Sequence, residues 1–120
     1  MISVTHFAVH GEQSGDVAEQ SGDFAERART ALAVLAQRPG FLRGSLGRST
    51  DGPGDWVLIT EWENVGSYRR ALGGFEVKLH AAPLLGEALD LPSSFEPLLE
   101  VAPGGAALTR ASDRDPGADD

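Results

Sequence analysis

Asp55-Trp56-Val57-Leu58-Ile59-Thr60-Glu61-Trp62-Glu63 is the stretch on which the reading of the fold turns. In an extended chain successive side chains point to opposite faces. Trp56, Leu58, Thr60 and Trp62 therefore share one face, and Val57, Ile59 and Glu61 share the other. A strand apolar on both faces needs cover on both sides. Helices of the same chain can supply only one of them. Immediately upstream, Thr50-Asp51-Gly52-Pro53-Gly54 is dense in hairpin-turn residues and joins this strand to another expected over residues 41–49. Pro39-Gly40 stops a helix predicted over 24–37, on which Phe24, Ala28, Leu32 and Leu35 recur on one face. Residues 2–10, rich in β-branched and aromatic types, read as the first strand.

Downstream, Asn64 is placed to cap a second helix carrying Tyr68 and Leu72. Gly73-Gly74 interrupts it. A further helical stretch is expected over 75–89, re-initiated at Pro83, followed by a last strand over 94–101. Residues 12–25 hold a tandem repeat, Glu-Gln-Ser-Gly-Asp-Val-Ala then Glu-Gln-Ser-Gly-Asp-Phe-Ala. Each copy has an Asp-x-x-Glu pattern (Asp16 to Glu19, Asp23 to Glu26) suited to starting a helix, and the repeat reads as a lengthened surface loop. Residues 102–120 carry almost no large apolar side chain and are expected to be a flexible acidic tail behind a domain spanning 1–101.

The order is β-α-β-β-α-β, an α+β chain. Two helices on one face of a four-stranded antiparallel sheet is the ferredoxin-like arrangement. The uncovered second face predicts a homodimer in which two sheets meet, a dimeric α/β barrel.

A length of 120 residues fits one domain, and 41% hydrophobic residues can build a small core. The net charge of −8 and the lack of a basic stripe argue against nucleic-acid and anionic-membrane partners. Cysteine is absent, which rules out disulfides, thiolate metal sites and a Cys nucleophile. No apolar run is long enough to span a bilayer and no signal-peptide pattern is present, so a cytoplasmic location is the expectation. His6 shares its strand face with Ile2, Val4 and Ala8, a core or interface position more often than a catalytic one. His10 ends the strand and is expected to be solvated. Glu61 is placed to pair with Arg43 or Arg48 across the hairpin. With no third ligand at suitable spacing, no zinc or non-heme iron site is expected.

Pro39-Gly40-Phe41-Leu42, Ser49-Thr50-Asp51-Gly52, the strand end Glu61-Trp62-Glu63 and Tyr68 together resemble the antibiotic-biosynthesis-monooxygenase family, dimeric ferredoxin-like barrels. The resemblance covers roughly residues 1–101. Some members oxidise aromatic polyketides to quinones without flavin or metal, and others bind and cleave heme. What it implies here is a cofactor-independent monooxygenase acting on a small planar aromatic molecule of polyketide or quinone type. Such an enzyme requires a dry aromatic pocket, a proton-transfer group and hydrogen bonds to a developing phenolate.

By the same resemblance Trp62 and Tyr68 line the pocket, their indole N–H and phenol O–H facing a substrate oxygen. Leu58 and Phe75 are expected beside them between sheet and helices, and His80 is the proton-transfer group. His6 and His80 would then converge on one pocket. The polyketide oxygenases carry Asn where this sequence has Leu58, and leucine can neither accept a proton nor hold a carbonyl. The heme-degrading branch implies an alternative, heme or another planar ligand held through His80 without turnover. In that branch a Trp stands where Ala71 stands here, and the first strand contains an Asn that this one lacks. A third reading is a structural dimer whose pocket is filled by its own side chains.

Overall fold

The computed structural model describes residues 1–9 and 17–112, for 17–21 the backbone only. The elements are β1 (Ile2–Ala8), α1 (Val17–Leu35), β2 (Phe41–Arg48), β3 (Asp55–Trp62), α2 (Val65–Leu72), α3 (Phe75–His80), α4 (Ala82–Leu85), β4 (Ser94–Phe95), β5 (Leu99–Val101) and β6 (Ala107–Thr109). β1 to β4 form one antiparallel sheet in the order β2-β3-β1-β4. This is the expected ferredoxin-like order, with β3 at the centre beside β1.

Two expectations are corrected. α1 begins at Val17 rather than near Phe24, so the second repeat copy is helical and not a loop. Its Gly22 has open space around it, so the helix absorbs it without a packing conflict. The first copy up to Asp16, and His10, lie outside the described residues. The last strand is split. β4 pairs with β1, whereas β5 leaves the sheet and pairs with β6. Residues 107–109, read from sequence as tail, are therefore a strand. Gly104 and Gly105, both with positive φ, turn the chain between β5 and β6. That Gly-Gly pair is a hairpin signal masked by the surrounding small residues. Residues 113–120 lie outside the described part.

The helices cover the face of β3 that carries Trp56, Leu58, Thr60 and Trp62, all buried. From α1 come Phe24, Ala28, Ala31 and Leu35. Leu32, expected among them, packs at the margin. Phe7, Phe24 and Trp56 form one aromatic cluster, with ring centroids 5.0 and 5.5 Å apart. Phe41, Trp62 and Tyr68 form another at the opposite end of β3. The Asn64 side chain caps α2 by accepting from the Ser67 N–H at 2.8 Å, as the sequence predicted.

β1 is oriented against its own hydrophobicity. Ser3, Thr5 and Phe7 face the helices, while Ile2, Val4, His6 and Ala8 lie on the open face of the sheet. Across the ladder Val4 stands opposite Ile59, and His6 opposite Val57. The open face is thus mostly apolar. The Arg43–Glu61 ion pair spans it at 2.6 Å, in line with the sequence reading.

Arg27 on α1 forms an ion pair with Glu87 beyond α4. A hydrogen bond from Arg27 holds the Glu87 carboxyl below its usual range, and the carboxylate raises Arg27 in turn. A depressed carboxylate pKa means the pair stabilises fully above the ordinary value of 4.5. That contribution is lost as pH falls through the lower folded value. Both groups are partly exposed and screened, so Glu87→Gln is expected to cost about 0.2–1 kcal/mol at pH 7 and less at strongly acidic pH, as the native carboxyl protonates. Urea unfolding at the two pH values checks this. An equal loss at both would assign the effect to packing.

Candidate functional site

The space between sheet and helices, where the sequence reading placed the pocket, is filled by the chain's own side chains. Leu58 and Leu84 are 2% exposed, Trp62 is 1%, and Val77 and Ala81 are fully buried. At one end of this space the Trp62 ring meets Phe41 edge-on at 5.2 Å and Tyr68 at 5.7 Å. Its indole N–H donates to Thr60 Oγ1 at 2.8 Å. Trp62 therefore serves as a wall, and its N–H is already engaged inside the chain. The buried indole N–H without a partner among the described residues belongs to Trp56 instead, whose ring lies 5.4 Å from the Arg48 guanidinium.

A cleft of about 270 Å³ opens between α2 and β4. Val65, Tyr68 and Leu72 form one side, and Phe95 and Glu96 the other, with Arg69 also at the cleft. Two local causes shape it. The Asn64 cap and a helix only eight residues long set the direction in which Tyr68 and Leu72 project. The short pairing of β4 with β1, Ile2 to Phe95 and Ser3 to Ser94, places Phe95 and Glu96 opposite them. Tyr68 is half-buried, with its ring against Trp62. Its hydroxyl makes no hydrogen bond to another described residue. Glu96 accepts hydrogen bonds from Ser112 Oγ at 2.8 and 2.9 Å.

The cleft can hold a flat apolar molecule against Tyr68, Leu72 and Phe95. Its polar lining is the Tyr68 hydroxyl, the Arg69 guanidinium and the Glu96 carboxylate, the last already engaged by Ser112. Of the residues singled out from sequence, Tyr68 lines it, Trp62 backs it and Leu58 lies in the core behind. Three others do not reach it. His80 is exposed on α3, 3.3 Å from Glu76 one turn earlier. Phe75 is 75% exposed. The helical period explains both, because α3 turns Val77 and Ala81 into the core and so sends positions 75 and 80 outward. His6 lies on the opposite sheet face and borders a separate recess of about 380 Å³ with Arg48, Trp56 and Leu89. His6 and His80 do not converge. Glu96 was missed from sequence because a single Glu in Phe95-Glu96-Pro97 has no motif around it. Only the pairing of β4 brings it to Tyr68.

Among the described residues no three His, Asp or Glu side chains gather as a metal site, and no helix is long and apolar enough to cross a membrane.

Comparison with known proteins follows this geometry. The family model described as antibiotic biosynthesis monooxygenase matches residues 4–81. Among solved structures the chain is similar to SnoaB from Streptomyces nogalater, a cofactor-independent oxygenase. To one SnoaB structure, of a point mutant, it is 33% identical with TM-score 0.53, over 73% of this chain and 82% of that one. To another it is 26% identical with TM-score 0.57, over 95% and 96%. A conserved protein from Methanosarcina mazei matches at 18% identity and TM-score 0.59, over 78% of this chain and 84% of that one, and shows the fold alone. No curated protein matches the sequence.

Proposed function

Because the chain belongs to the antibiotic biosynthesis monooxygenase family, we propose that it is a cofactor-independent monooxygenase acting on a small planar aromatic substrate of polyketide or quinone type. The observation that carries this reading is the Tyr68 hydroxyl, unpaired among the described residues, in an aromatic-walled cleft backed by Trp62. The likeness to SnoaB supports the reaction class.

In this reading an anthrone-type substrate lies flat against Tyr68 and Phe95. Glu96 accepts the proton released from the substrate's reactive carbon. Tyr68 donates a hydrogen bond to the oxygen on which negative charge develops. The electron-rich anion then reacts directly with dioxygen. One oxygen atom becomes the new quinone carbonyl and the other leaves as water with the two hydrogens of the substrate methylene, so no external reductant is consumed. Glu96 takes the role that the sequence reading assigned to His80.

The test is oxygen uptake and quinone formation with a hydroxylated anthrone. The expected result is turnover above buffer autoxidation, falling about 100-fold in Glu96→Gln and about tenfold or more in Tyr68→Phe, with His80→Ala unchanged. Turnover equal to buffer, or turnover indifferent to both cleft substitutions, would refute the assignment.

The second element of the proposal is a homodimer through the open sheet face. Ile2, Val4, Ala8, Val57 and Ile59 lie there while serine and threonine occupy the helix-facing side of β1. That inversion has a physical reason only if the open face is itself covered.

A further inference from the structure

The β5–β6 hairpin stands apart from the four-stranded sheet, and its register decides where the chain goes next. Leu99 pairs with Thr109, Glu100 with Leu108 and Val101 with Ala107, and the Arg110 N–H continues the ladder to the Leu98 carbonyl at 2.9 Å. Carried further in the same register, the ladder sets Ser112 opposite Glu96. Directly opposite residues of an antiparallel pair share a face, with Cβ atoms about 4.5–5.5 Å apart. The Ser112 hydroxyl accordingly reaches both carboxylate oxygens of Glu96, at 2.8 and 2.9 Å. Both side chains are half-buried. Arg110 and Ala111 line a recess of about 120 Å³ whose other walls include Met1, Val65 and Glu96. Those three residues also line the Tyr68 cleft, so the returning chain runs along the edge of that cleft.

We infer that Ser112 is a positioning residue for the proposed reaction, its hydroxyl holding the Glu96 carboxylate in the orientation that receives the substrate proton. The inference rests on the reading of Glu96 as the proton acceptor and adds what fixes it. Glu96 follows a strand of only two residues and precedes Pro97, so little sheet pairing holds its backbone. Its side chain has several rotatable bonds, and fixing it costs rotamer entropy. Proton transfer needs the acceptor within hydrogen-bond reach of the proton it takes. A displacement of about 1 Å can lower the rate about 100-fold. A contact that orients this carboxylate therefore acts on the rate.

The chemistry of a serine suits this task. A hydroxyl carries no charge, so it orients the carboxylate without neutralising it. It is also both donor and acceptor. Toward the carboxylate it donates, and once Glu96 has taken the methylene proton it accepts from the carboxyl. The contact thus survives both halves of the transfer. The substrate C–H bond breaks as an O–H bond forms on Glu96, and that proton then passes to the oxygen that leaves as water. Glu96 ends as the carboxylate it began as.

Oxygen uptake by the full chain, with a hydroxylated anthrone over a range of concentrations, tests this role. The proteins compared are the parent, Ser112→Ala, Ser112→Thr, Glu96→Gln and the Glu96→Gln/Ser112→Ala double variant, with thermal unfolding of each. The expected result is a kcat about tenfold lower in Ser112→Ala, with KM within about twofold. Ser112→Thr keeps the hydroxyl and should stay within a few-fold of the parent. In the Glu96→Gln background Ser112→Ala should cost almost nothing further, because residues acting as a unit are not additive. A kcat unchanged or raised in Ser112→Ala, while Glu96→Gln lowers it, overturns the positioning role and leaves Glu96 as the base. An equal loss in both backgrounds, or a loss that threonine fails to restore, assigns Ser112 to hairpin packing and overturns the role as well. Turnover indifferent to Glu96→Gln, or equal to buffer, removes the reading of Glu96 and the role of Ser112 together.

Discussion

Replacement of Trp62 by alanine is expected to lower the free energy of unfolding by about 3–5 kcal/mol. Three contributions act together. The indole is 1% exposed and fills the junction of β3, Phe41 and Tyr68, so its removal forfeits a large apolar burial and leaves a cavity. Two aromatic contacts are lost. Thr60, itself buried, loses the donor to its hydroxyl, and an unsatisfied buried hydroxyl costs about 1–3 kcal/mol.

The last contribution can be isolated. Trp62→Phe keeps most of the bulk but orphans Thr60, whereas Trp62→Phe with Thr60→Val removes both polar partners and should recover part of the loss. Urea unfolding followed by circular dichroism measures all three variants. A loss below about 1 kcal/mol in Trp62→Ala would mean that Trp62 is not the buried wall described here. The same substitution opens the back of the Tyr68 cleft, so any activity that survives should show weakened substrate binding.

Gly40→Ala is expected to cost about 2–5 kcal/mol. Gly40 follows α1 with φ +89°, a conformation that costs an L-residue about 1–2 kcal/mol. A Cβ there would also sit 2.5 Å from Ser67 Cβ and closer still to its hydroxyl oxygen. Ser67 is buried in the first turns of α2, and such overpacking costs about 1–3 kcal/mol. Adding Ser67→Gly removes the overlap but not the backbone strain, at the cost of about 0.5–1 kcal/mol for glycine in a helix. The double variant should therefore be more stable than Gly40→Ala alone and less stable than the parent. Thermal unfolding of the three proteins decides this. A double variant no better than the single one would place the whole penalty in φ.

Much of the fold was legible because it depends on local patterns. The alternation in residues 55–63, the Asn64 cap, the Gly73-Gly74 break and Pro39-Gly40 each act within a few residues. Each was found in the element expected. The hairpin at 99–109 was not legible, since its strands are three residues long and its glycines sit in a segment of uniformly small composition. The proposed site was legible in part. Tyr68 and Trp62 follow from the family resemblance, whereas Glu96 has no local signature and His80 carried a chemical promise that helix phase does not honour.

From the sequence alone came the α+β order of elements, the family, and the need of β3 for cover on both faces, because hydrophobic period and turn chemistry act over short separations. Only the tertiary structure decided which face of β1 turns inward, that the Trp62 N–H is taken by Thr60, and that the open cleft lies beside Glu96. Those outcomes depend on register and helix phase between segments distant in sequence, and no spacing along the chain encodes them.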